Sequence, residues 1–110
     1  MTDPADVWVA LITAPPTDAS ALARALVTER LAACVNLLPG MTSVYRWRGE
    51  VHEDGETLLV VKTTRDRFPV LRQRVRELHP YDLPECIAVP VTSGIPEYLE
   101  WVTTECEADG

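Results

Sequence analysis

Ala33-Cys34-Val35-Asn36-Leu37-Leu38-Pro39-Gly40-Met41-Thr42-Ser43-Val44-Tyr45-Arg46-Trp47 holds two strand-like runs, 33–38 and 42–47, separated by Pro39-Gly40. That break is too short for a reversal with pairing on both sides, so the reading is one long strand, bent or bulged at the proline. Arg48-Gly49 turns the chain, and residues 51–64 pair back to complete a long hairpin. The hairpin is expected to expose His52-Glu53-Asp54-Gly55-Glu56 at its tip and to bury residues 58–61.

Working outward from the hairpin, residues 7–13 are apolar at both alternating sets, the mark of a strand central in a sheet and covered on both faces. Ala14-Pro15-Pro16-Thr17-Asp18 breaks it and offers Thr17 or Asp18 as an N-cap. Residues 19–31 follow as a first helix, with Leu22, Leu26 and Arg30 at four-residue steps. On the other side, Phe68, Leu71, Val75 and Leu78 recur at helical spacing, which predicts a second helix over residues 66–78. Residues 86–92 read as a strand, and the order βαββαβ is that of a ferredoxin-like α+β fold. A loop with Pro96 at a first helical turn leads into a short C-terminal helix holding Tyr98, Leu99, Trp101 and Val102, and the acidic tail 105–110 is expected to fray.

At 110 residues the chain has the size of one domain, 1–110, with a core from about 7 to 104. A net charge of −7 argues against a nucleic-acid partner, because that affinity is built from Lys and Arg on phosphates. Arg65, Arg67, Arg72, Arg74 and Arg76 are dense for so acidic a protein, and read as a solvated helix face or as an anion patch. The longest apolar run, 7–12, is six residues, against about 20 needed to span a bilayer, so no membrane partner is expected. The acidic start resembles no export signal, and a cytoplasmic location is expected. Three widely spaced cysteines suit reduced thiols, with Cys34 and Cys86 in the core and Cys106 the most exposed.

His79-Pro80-Tyr81-Asp82-Leu83-Pro84-Glu85 is the candidate site, a rigid polar corner between helix and strand. Pro80 ends the helix and pushes His79 toward an extended conformation. His79 reads as a helix cap, as a Cu(II) or Zn(II) ligand with Asp82 and Glu85 near by, or as a catalytic base. No C-x-x-C, H-x-H or H-E-x-x-H is present and His52 sits on the hairpin, so a metal site would be weak, open or shared between subunits. Lys62 interrupts an apolar strand, either snorkelling at a strand end or standing in an intersubunit cleft. Lys62, Tyr81, Glu85, Tyr45 and Trp47 are the candidate cleft residues. A long hairpin exposes strand edges that a neighbouring copy can cover, so self-association is expected. Tyr45, Trp47, Tyr98 and Trp101 read either as its anchors or as filling of the monomer core.

Ala32-Ala33-Cys34-Val35-Asn36, Ser43-Val44-Tyr45-Arg46-Trp47, Val61-Lys62-Thr63-Thr64, His79-Pro80-Tyr81 with Pro84-Glu85, and Tyr98-Leu99-Glu100-Trp101 stand in the order and spacing of the CutA1 family of divalent-cation tolerance proteins. The resemblance spans residues 7–102. It implies a PII-like homotrimer with clefts between subunits, no enzymatic activity, a role in the response to metal ions, and copper or another divalent cation as ligand. The ligands the family implies are a Cys on the first strand and two adjacent histidines before Pro-Tyr. Those positions here hold Ile12, Leu78 and His79, of which only His79 matches. Two rival functions stand beside this one. The first is a PII-like signalling module with a small ligand in the cleft, though no Gly-rich phosphate loop is present. The second is a small acid/base enzyme using His79 and Glu85.

Overall fold

The computed structural model describes residues 2–108. A 3-10 turn (Pro4–Asp6) leads into β1 (Val7–Ala14), α1 (Ala19–Thr28), β2 (Cys34–Trp47), β3 (Glu50–Thr64), α2 (Phe68–Leu78), β4 (Cys86–Pro90) and α3 (Pro96–Glu105). The four strands form one antiparallel sheet in the order β2-β3-β1-β4, which places β1 inside it as expected and gives the ferredoxin-like α+β arrangement.

β2 is a single strand of 14 residues. Its register against β3 shifts between Leu38 and Met41, where Gly40 takes a left-handed φ of +80°. The bulge is therefore where Pro39-Gly40 predicted it, because proline lacks a ladder donor and glycine accepts the positive φ. Trp47 pairs with Glu50 across a two-residue turn in which Arg48 and Gly49 have φ of 51° and 81°. Both are positive, as a type I′ hairpin requires. Residues 52–56 are thus ladder, and the tip is Arg48-Gly49. Glu56, expected to be exposed, is buried.

The main core lies between one sheet face and helices α1 and α2. Ala10 and Ile12 of β1 and Leu59 and Val61 of β3 pack with Leu22 and Leu26 of α1 and Leu71 and Val75 of α2. The opposite face is treated differently. α3 covers only its end, where Val7 meets Leu99, Val102 and Cys106. Beyond that, Val9, Leu11 and Val60 are half-buried, so β1 is sealed on one face only within this chain.

Several boundaries move for identifiable reasons. α1 stops at Thr28, short of residue 31, and Arg30 adopts a φ of +60°. The turn drops Leu31 and Ala32 into the core, and their amides both donate to the Leu26 carbonyl. The Arg30 guanidinium donates to the carbonyls of Thr104 and Glu107, tying the end of α1 to that of α3. α2 begins at Phe68 with Pro69 in its first turn, where a missing N–H is harmless. Cys106 caps the end of α3 and is 1% exposed, packed with Val7, Leu99 and Val102, the reverse of the expected accessible thiol. The tail's last two residues, 109 and 110, lie outside the described residues.

Candidate functional site

The corner after α2 is built by Pro80. His79 caps the helix with φ −77° and ψ 137°, and its amide closes the last turn on the Val75 carbonyl at 2.8 Å. The extended backbone turns the imidazole inward, where it is 7% exposed. Its Nε2 lies 2.7 Å from the Thr13 carbonyl on β1, and its Nδ1 lies 3.2 Å from the Tyr81 amide. A carbonyl can only accept and an amide only donate, so Nε2 carries the proton and Nδ1 accepts. Both ring nitrogens are engaged, and the ring packs on Tyr81 with 4.8 Å between centroids.

From there the network crosses to the hairpin. The Tyr81 hydroxyl donates to Oε2 of Glu56 at 3.1 Å. Burial and then the Glu56 carboxylate push the Tyr81 phenol up to about 12, since both disfavour the phenolate. On the same face of the arm, the Tyr45 hydroxyl donates to Asp54, and its ring stacks on His52 at 5.5 Å. The hydrogen bond to Asp54 is the main cause that raises the Tyr45 phenol. The register Met41↔Glu56, Ser43↔Asp54, Tyr45↔His52, Trp47↔Glu50 explains this grouping, because directly paired residues share a sheet face.

Between that face and the loop 80–85 lies a cavity of about 690 Å³. Tyr45, Trp47, Tyr81 and Glu85 border it, together with Glu56. Four of the five predicted cleft residues are therefore brought together within one chain. Lys62 is not among them. It donates to Oδ1 of Asn36, and it stands six positions along β3 from Glu56, roughly 20 Å along a strand. His79 lies behind the wall, positioning Tyr81. Glu56 is the residue that sequence reasoning missed. Two-residue steps back from Leu58 along β3 would have placed it on the face of the paired arm once the turn was set at Arg48-Gly49.

The described residues do not gather a metal centre. Among the described residues, no group of three or more His, Cys, Asp and Glu is placed to hold an ion. Ile12 is fully buried and apolar, Leu78 is exposed, and His79 offers no free lone pair. The residues of a single chain thus do not fit a copper site. The arginine run does not converge either. Arg74 donates to both oxygens of Glu29 at 2.9 and 3.2 Å, Arg65 faces Asp6 at 4.0 Å, and Arg67 donates to the Arg30 carbonyl. Burial holds the Cys86 thiol at about 11, so it is not a ready thiolate. Tyr45, Trp47, Tyr98 and Trp101 are all exposed at 37–43%, which removes them from the monomer core.

Residues 8–105 match the family model described as CutA1 divalent ion tolerance protein. The chain is 58% identical over 95 residues to the divalent-cation tolerance protein CutA of Thermus thermophilus, covering 86% of this chain and 92% of that one. Protein CutA of Mus musculus is 48% identical over 100 residues, covering 90% of this chain and 56% of that longer protein. The solved structure of the PII-like protein CutA from Nostoc superposes with a TM-score of 0.87 at 38% identity, covering 93% of this chain and 99% of that one. Motif order, ferredoxin-like topology and these likenesses agree, and the chain belongs to the CutA1 divalent ion tolerance protein family.

Proposed function

We propose that the chain acts as a cytoplasmic, non-enzymatic homotrimer in the response to divalent cations, and that copper or another divalent cation engages it weakly, through side chains from more than one subunit near His79 and Glu85. The observation that carries this reading is the sheet face left uncovered by α1 and α2. Ile87, Leu11 and Val60 lie in one cross-strand row on it, with Val89 and Val9 beside them. Ile87 and Val89 are 57% and 58% exposed. An apolar sheet surface of this kind is the mark of an interface, and a second and third copy of the same chain are the partners that a closed symmetric assembly supplies. The exposed aromatics flanking it are suited to anchor such contacts. Because the described residues of one chain hold no ligand set, a shared site is the form a cation site would take, and binding would need His79 to release a hydrogen bond. The non-enzymatic reading is supported by His79, whose ring nitrogens are both occupied and which does not share the cavity with Glu85. Three free thiols are in keeping with a reducing compartment.

The cavity favours a second reading, a PII-like module that takes a small ligand in the intersubunit cleft. Sedimentation velocity at micromolar concentration together with a Cu(II) titration tests the first. Three chains per particle, with weak saturable binding reduced in His79→Ala, is the expected result. A monomer, or equal binding by the two proteins, sinks the shared site.

A further inference from the structure

We propose that the cavity between the β2–β3 arm and the 80–85 loop binds a small organic cation, an ammonium or guanidinium on an apolar body, with Glu56 as its charge partner. The inference rests on the cleft reading above and names the chemistry of its ligand. Glu56 is only 5% exposed, yet no Lys, Arg or His among the described residues pairs with it. One carboxylate oxygen accepts the Tyr81 hydroxyl. The other has no hydrogen-bond partner among the described residues, and it is not sealed from space, because no buried side-chain oxygen there is left unsatisfied. Glu56 borders the cavity, which is the open space beside its carboxylate. A carboxylate with so little exposed surface and no cation beside it is a ready partner for a ligand's positive charge.

The surroundings select an organic cation over a metal ion. Among the described residues the acidic groups do not converge into a metal cage. Tyr45, Trp47 and Tyr81 instead line the cavity with aromatic rings, a residue type that attracts ammonium and guanidinium groups, as the Arg48 guanidinium 5.4 Å from the Trp47 ring already illustrates. Tyr45 is held ready by its hydrogen bond to Asp54 and its stacking on His52. Glu85 adds negative charge at the rim. Arg46 also borders the cavity, but strand alternation turns its side chain to the opposite face of β2 from Tyr45 and Trp47. At about 690 Å³ the space suits a ligand of small-molecule size.

Benzylamine and benzyl alcohol share a ring and differ in charge at neutral pH, so calorimetric titration of each into the full chain isolates the charge, with sedimentation velocity on the same samples. The expected result is saturable benzylamine binding, benzyl alcohol at least about tenfold weaker, and a further loss of about tenfold to a hundredfold in Glu56→Gln that sediments like the wild type. Equal affinity for the two probes, no benzylamine binding at millimolar concentration, or undiminished binding by a folded Glu56→Gln overturns the site. If Glu56→Gln does not fold, the wild-type ratio of the two probes decides alone. An assembled chain that ignores benzylamine overturns the cation site and leaves the cleft standing, whereas a monomeric chain that still prefers benzylamine overturns the intersubunit cleft and keeps the cation site, because the cavity is lined within one chain.

Discussion

The two halves of the β2–β3 hairpin share one hydrogen-bond ladder and have opposite environments. At its base, Leu59 and Val61 are fully buried beneath α1 and α2. In the outer arm, Val44 and Val51 are 66% and 67% exposed and face no helix. A two-stranded ribbon alone is marginally stable in water, so the ladder itself does not explain why the arm holds its shape. The arm is pinned instead by cross-strand and corner contacts: Tyr45 to Asp54 and His52, and Glu56 to Tyr81. The lesson is that the base is a core element that happens to be β, while the arm is a polar and aromatic platform that depends on what touches it.

Truncation separates the halves most sharply at the base. Leu59→Ala removes fully buried volume and should cost about 2–5 kcal/mol in urea unfolding. A loss below 1 kcal/mol would mean that the base is not core. His79→Ala should cost about 1–3 kcal/mol, because it strands the Thr13 carbonyl and the Tyr81 amide. It should also loosen the arm, read as faster hydrogen exchange in residues 41–56 than in 58–64. Uniform exchange across both stretches would break the distinction.

Tyr81→Phe removes the link from corner to arm and should cost about 1 kcal/mol at neutral pH. It should also change the alkaline limb. The phenol is raised from 10.0 to about 12, so between those values the unfolded chain loses a proton that the folded chain keeps. Stability is therefore fully present below pH 10 and declines toward pH 12, and Tyr81→Phe should make urea midpoints less steep there. Identical slopes for the two proteins would remove Tyr81 as their cause. The smallest effect belongs to Val51→Ala, under about 0.5 kcal/mol, because its side chain is exposed. A loss that grows with protein concentration would show that another copy covers the arm.

The hairpin was legible because its signals are local. Pro39-Gly40 allows only a bulge, and Arg48-Gly49 accepts two positive φ values in succession. The same holds for the end of α2, where Pro80 acts on its immediate neighbour. Within the site, the aromatic residues and Glu85 were legible as polar or large groups next to turns, but Glu56 was not. Its neighbours His52-Glu53-Asp54-Gly55 are polar enough to read as a solvated tip. Lys62 and Cys106 misled for the same reason, since composition cannot say that one stands far from the corner and the other packs against Val7 at the end of α3.

Periodicity and turn stereochemistry act over a few residues, and they determined the element order, the central place of β1, the bulge, the turn and the extended His79. Burial of Glu56 depends on Tyr81, 25 positions away, and the proton position on His79 depends on Thr13, 66 positions away. Only the closed sheet brings such partners within hydrogen-bond reach. The tertiary structure therefore decided the charge environment of the cavity, the tautomer behind it and the apolar face left uncovered, because each is a property of surfaces that meet only after the chain has folded.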